Sequence, residues 1–275
     1  PGYLGVQGGS AVTVLYHRNQ AWSDRGTYHL ALWVDRQTNG AVHPYGSTSI
    51  NTRFKYSVNL DGRKFIGNVK IYDNSGAEEH HPDWVMFSEL LQPDVIPIVN
   101  YIAIPDTQGG QITGLSRLMG DLVVFQEKGI YRIAVPSADP TTWSLVESEP
   151  NLGCEASNSL TEYKNGVFFA GTDNIYYLDS NFQAIPVTRT IRDTYQSAYS
   201  TLARLHVDPK KERLLCHFGN DSNTTYVLDL KTLGSSELWT KWDCSGSKKS
   251  DLWVTDENFE THSIESGTTS YLCQL

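Results

Sequence analysis

A chain of 275 residues in which 39% are hydrophobic and 11% aromatic can bury a sizeable core, and all-β folds of this length commonly form one unit. Its 22 Lys and Arg against 31 Asp and Glu leave a net charge of −9, which argues against a grip on nucleic-acid phosphates or on an anionic membrane surface. No apolar stretch is long enough for a membrane-crossing helix, no signal peptide is expected, and 22 Gly with 11 Pro interrupt any long helix. The first residues, Pro1-Gly2, suggest a fragment or a processed product of a longer chain.

In chain order, apolar runs at 12–16 and 28–34 flank the turn-rich stretch Ser23-Asp24-Arg25-Gly26. The run 54–58 is expected to pair with Phe65 across Asp61-Gly62, and a strand at 69–72 follows. Four clearer hairpins come next, because β-branched and aromatic runs flank residues that tolerate positive φ. Leu122-Val123-Val124-Phe125 turns at Glu127-Lys128-Gly129 into Ile130-Tyr131-Arg132-Ile133. Val167-Phe168-Phe169-Ala170 turns at Thr172-Asp173-Asn174 into Ile175-Tyr176-Tyr177-Leu178. The run 213–218 turns at Gly219-Asn220-Asp221-Ser222-Asn223 into Thr225-Tyr226-Val227-Leu228, and 251–254 turns at Asp256-Glu257-Asn258 into the last strand. The one helical pattern is 188–199, where Ile191, Tyr195 and Ala198 or Tyr199 share a face and suit a connector.

These turns recur at roughly 40–50 residues, the interval of a four-stranded propeller blade. The expected fold is all-β: a β-propeller of about six four-stranded blades, with five or seven also fitting, over residues 1–275 as a single domain. A large β-sandwich or a meandering barrel is the alternative.

The residues that could carry chemistry are few. Glu147, Glu149 and Glu155 cluster around Pro150, and Asp83 and Glu89 flank a strand, but a glycosidase needs two carboxylates at a fixed separation. The repeated Asp-box of sialidases is missing, and so are G-x-S-x-G, Walker and dinucleotide motifs. His80-His81-Pro82-Asp83 is the most metal-like cluster, yet adjacent histidines on an extended chain point to opposite faces. The segment 219–223 offers oxygen ligands without the spacing of an EF-hand and reads as a turn. Trp22, Tyr28 and Trp33, or Tyr45 and Tyr56, could stack on sugar rings, though core or inter-blade packing is the more frequent role of such aromatics. Cys154, Cys216, Cys244 and Cys273 form no CxxC pair; Cys216 reads as a buried hydrophobe, and a Cys244–Cys273 pairing is conceivable. Two glycosylation sequons, at Asn220 and Asn223, would matter only in a secreted eukaryotic protein. No catalytic, cofactor or metal residue is assigned, and the chain is not expected to be an enzyme.

From about Trp84 onward a series of features falls in a recognisable order. Val85-Met86-Phe87-Ser88 precedes Pro93-Asp94 and Asn100-Tyr101-Ile102, followed by Ile112-Thr113-Gly114-Leu115, Gly120-Asp121-Leu122-Val123-Val124-Phe125 and Gly129-Ile130-Tyr131-Arg132. Gly153-Cys154, Asn174-Ile175-Tyr176-Tyr177-Leu178 and Asp208-Pro209-Lys210-Lys211-Glu212-Arg213 come after it, then Val227-Leu228-Asp229-Leu230-Lys231-Thr232 and Trp239-Thr240-Lys241-Trp242. This order resembles the propeller-forming tail proteins of bacteriophages, including hub and nozzle proteins of short-tailed phages. The resemblance covers roughly two thirds of the chain by spacing of its strand and turn motifs. It implies a structural component of the virion tail, folded in the host cytoplasm and placed around or beside the DNA exit channel. The implied partners are copies of the chain in a ring and other tail or portal-adaptor proteins, with no cofactor, no sequence-specific nucleic-acid binding and no membrane. The alternative is a carbohydrate-active propeller, either a glycoside hydrolase or a binder of host-surface glycans.

Overall fold

Short strands with polar turns between them dominate the chain. A computed structural model describes residues 5–6, 12–13, 29–31, 52–72, 78–93, 96–97, 99–105, 110–219, 224–243, 249–266 and 271–274. The protein is all-β, with one short α-helix among the described residues.

The chain divides into two compact units, residues 1–127 with 131–147 and residues 128–130 with 148–275. In the first unit β1 (Gly5–Val6) pairs with β2 (Val12–Thr13). A five-stranded sheet follows in sequence order: β3 (His29–Ala31), β4 (Thr52–Leu60), β5 (Arg63–Tyr72), β6 (Glu78–Phe87) and β7 (Tyr101–Ala103). Next comes a four-stranded sheet of β8 (Ile112–Leu118), β9 (Asp121–Gln126), β10 (Gly129–Ala134) and β11 (Ser144–Pro150), whose last two strands contribute to both units. The second unit holds β12 (Thr161–Tyr163), β13 (Gly166–Ala170), β14 (Ile175–Leu178) and β15 (Ala184–Pro186) in one sheet. A further sheet contains β16 (Arg204–Asp208), β17 (Arg213–His217), β18 (Thr224–Asp229) and β19 (Trp239–Asp243). The last described sheet has β20 (Lys249–Thr255), β21 (Thr261–Ser266) and β22 (Tyr271–Gln274).

Among the described residues each strand pairs with its neighbour in sequence within its sheet, the pairing that costs least chain to connect. The hairpins expected at 122–133, 167–178 and 213–228 and from 251 onward are present, the last followed by a further strand, β22, whereas the described parts of the runs 12–16 and 28–34 pair elsewhere, β2 with β1 and β3 with β4. Val58 faces Phe65 across the Asp61-Gly62 turn, where both residues take positive φ, 46° and 75°. The expected separate strand at 69–72 is instead the continuation of β5. Asn68 interrupts the pairing there: the register passes from Gly67↔Val85 to Val69↔His81, so residues 82–84 bulge opposite one residue. Most of the runs expected at 12–16 and 28–34, and the turn 23–26 between them, lie outside the described residues, as does the turn 220–223.

Each unit has its own core. In the first, Leu60, Phe65, Val85, Phe87, Ile112, Leu122, Val124, Tyr131 and Ile133 pack together, with Trp143 against them. In the second, Phe168, Ile175, Leu205, Leu214, Cys216 and Leu228 surround Tyr195. Tyr195 belongs to α1 (Arg192–Ala198), which a 3-10 turn at Arg189–Ile191 introduces between β15 and β16. The expected helical face is the buried one: Tyr195 is fully buried and Ile191 and Tyr199 pack beside it. A smaller cluster of Leu215, Val227 and Trp253 joins the last two sheets of the second unit.

Candidate functional site

The acidic candidates take separate structural tasks. Glu149 accepts the backbone N–H of Ala184 at 2.9 Å, so its carboxylate secures the edge strand β15. Glu147 is exposed and Glu155 half-buried. Glu89 accepts from the Asn100 amide at 3.3 Å, while the backbone of Asp83 receives the N–H of Ile104. Among the described residues no three His, Cys, Asp or Glu side chains come together as metal ligands.

His80 and His81 diverge, as alternation along a strand requires. His80 Nε2 lies 3.0 Å from Asn68 Oδ1, whereas the His81 ring stacks on Trp84 at 3.6 Å between centroids. Trp84 stacks in turn on Tyr101 at 3.9 Å, and Tyr101 is 43% exposed on the edge strand β7. The bulge at 82–84 brings His81 and Trp84 to one side. Asn68, buried at φ 57°, is the residue type that tolerates this left-handed position. Its amide nitrogen donates to Ile112 O and Gln111 Oε1, and Gln111 donates to Glu127 at 2.8 Å. Lys55 approaches the same glutamine at 3.4 Å; burial and then Lys70 hold its pKa below the usual lysine range, partly opposed by Glu127. Of the sugar-stacking candidates, Tyr56 packs against the first unit's core, and Trp22, Tyr28, Trp33 and Tyr45 lie outside the described residues.

The site that sequence reasoning missed is a cleft in the first unit. A cavity of about 120 Å³ is bounded by Leu60, Asp61 and Arg63 from the β4–β5 hairpin, with Phe65 beside them, and by Val135 to Ala138 and Trp143. Arg63 is only 8% exposed. One terminal nitrogen donates to Ser88 O at 2.5 Å and the other to Ala138 O at 2.9 Å. The guanidinium lies 5.8 Å from the Phe87 ring centroid and 5.7 Å from that of Trp143, within cation–π range. Trp143 is itself fixed by its indole N–H, which donates to Ser137 O at 2.8 Å, and by contact with Phe65 and Phe87. The 3-10 turn at Pro140–Thr142 holds this loop: Asp139 accepts from Thr141 N and Oγ1, which lowers its carboxyl pKa.

No family profile and no curated protein sequence matches the chain. Solved structures to which the chain is similar include the extracellular domain of the one component system BT4673 from B. thetaiotaomicron, 10% identical, covering 81% of this chain and 26% of that one, TM-score 0.45. A computationally designed protein is 10% identical over 84% of this chain and 72% of its own, TM-score 0.42. PorZ, a surface component of the type-IX secretion system of Porphyromonas gingivalis, is 12% identical over 78% of this chain and 31% of its own, TM-score 0.36. The chain thus spans about a quarter of the BT4673 domain and under a third of PorZ.

Proposed function

We propose that the sheets are blades of a β-propeller and that the protein is a structural component of a bacteriophage tail, working through contacts with copies of itself and with other tail proteins. The observation that carries this reading is the regular reuse of one sheet plan. β9, β13 and β17 begin at 121, 166 and 213, offsets of 45 and 47 residues, and each is the second strand of its sheet.

The motifs behind the phage-tail resemblance fall on this plan and have scaffold roles. Asp208 ends β16, and its carboxylate accepts from Lys211 N in the turn to β17. Asp229 ends β18 and caps the 3-10 turn Leu230–Thr232 by accepting from Lys231 N. Asp139 does the same for Pro140–Thr142 before β11, two sheets earlier. Asn100-Tyr101-Ile102 enters β7, and Gly129-Ile130-Tyr131-Arg132 forms most of β10. A net charge of −9 suits a wall that DNA passes without sticking.

Quantitative mass spectrometry of purified virions tests the proposal. The chain is expected in fixed multiples relative to the tail proteins; its absence from virions would remove the reading. The stacked rings of His81, Trp84 and Tyr101 favour a second reading, glycan binding, because Tyr101 leaves surface exposed for a sugar ring. Glycan-array binding that is lost in Tyr101→Ala would support that alternative.

A further inference from the structure

We propose that the cleft between Arg63 and Trp143 is a binding site for a carboxylate attached to a small apolar or aromatic body. The inference is independent of the tail reading and rests on the unmet bonding capacity of a buried cation.

A guanidinium has five N–H groups in a planar fork. In Arg63 two of them reach the carbonyls of Ser88 and Ala138, and Nε has no acceptor. Among the described residues no carboxylate lies within ion-pair distance of Arg63. A charge taken out of water without a counter-ion is costly, and two carbonyls with two ring faces compensate only part of that cost. An anion in the cleft would supply the missing partner. Nε is shielded from solvent, so a ligand would meet the remaining N–H groups of the terminal nitrogens. A carboxylate matches the guanidinium's planar geometry better than a spherical anion does.

The rest of the cleft defines the body of the ligand. Leu60, Phe65, Val135, Pro136 and Trp143 make its walls apolar, and about 120 Å³ admits a single small ring. Asp61 stands exposed at the same cleft and opposes a second negative charge, which favours a monocarboxylate over a dicarboxylate.

Benzoate is a suitable probe, with benzamide as its uncharged counterpart. Calorimetry on the intact chain, together with the Arg63 Nε–H signal in 15N-labelled protein, should show saturable benzoate binding with Kd on the order of millimolar. Benzamide should bind at least about tenfold more weakly. Arg63→Met should abolish binding. Because that variant also loses the ties to Ser88 and Ala138 and could fail to fold, Asp61→Asn provides the second test. It keeps a residue suited to the positive φ of 46° and should tighten benzoate about two- to fivefold. The proposal is overturned if benzoate causes no shift, if benzamide binds as well as benzoate, if binding survives Arg63→Met, or if folded Asp61→Asn binds no more tightly.

Discussion

Ser159 has no exposed surface, and its hydroxyl serves two backbone groups at once, donating to Ala156 O at 2.7 Å and accepting from Ala170 N at 2.9 Å. Ser159→Ala would strand the Ala170 N–H at the end of β13, so a loss of about 1–3 kcal/mol is expected, read as a lower urea midpoint with unchanged slope. Its neighbour Cys154 is fully buried, and desolvation pushes the thiol up to about 11; hydrogen bonds from the Ser159 side chain and the backbone only partly oppose this. The thiolate is the reactive form, so the Cys154 and Cys216 peptides should stay unalkylated by iodoacetamide at about pH 8 until the protein unfolds. His206 offers a pH dependence. Burial lowers its pKa more than Asp208 raises it, and its ring lies 2.9 Å from Thr255 Oγ1 in the second unit. The unfolded chain therefore binds the proton more readily than the folded one. Stability should be complete above the ordinary imidazole pKa of about 6.5, fall as pH drops through it, and level off once the lower folded-state pKa is passed. Chemical denaturation at several pH values should show that slope, and His206→Asn should flatten it.

At the scale of single elements, two hairpin turns share the pattern Asp-x-Asn-Phe and one geometry. In Asp179-Ser180-Asn181-Phe182-Gln183 and Asp256-Glu257-Asn258-Phe259-Glu260 the aspartate accepts from the backbone N–H two and four residues on. The phenylalanine of each takes φ of 61°, a strained value for a residue with a side chain. Their surroundings differ: Phe182 is 8% exposed and Phe259 64%. Phe259→Gly should consequently raise stability by up to about 1 kcal/mol, since it relieves strain and gives up little packing. Phe182→Gly should lower it by about 2–4 kcal/mol, because the buried ring is lost. Thermal melts of the two variants separate these opposite signs. The turn at Asp256-Glu257-Asn258 was legible in the sequence, as were the hairpins, because strand alternation and turn chemistry are both local; the turn at 179–183 is not among those expected from it. The Val58–Phe65 pairing and the buried face of α1 follow from spacing alone. The Asn68 bulge does not, since only its pairing partners on β6 reveal three residues opposite one. Nor does the Arg63 cleft: Arg63, Ser88, Ala138 and Trp143 are scattered over some eighty positions and meet only when two sheets pack.

Across the whole molecule the repeated meander is the organising fact. A four-stranded sheet cannot cover both of its faces, so it needs a neighbouring sheet to complete a core. That dependence is visible within the second unit, where Phe168 of β13, Tyr195 of α1 and Leu205 of β16 share one cluster and Leu215 and Trp253 join the following pair of sheets. The proposed tail role calls for contact area rather than a catalytic centre, and a net charge of −9 suits a surface that DNA passes. Electron cryo-microscopy of the native assembly decides between the proposed role and its alternatives. Copies of the chain are expected in a ring on a virion tail, each with its sheets radiating as blades. A monomer found apart from any virion and cleaving a glycoside would contradict the proposed role.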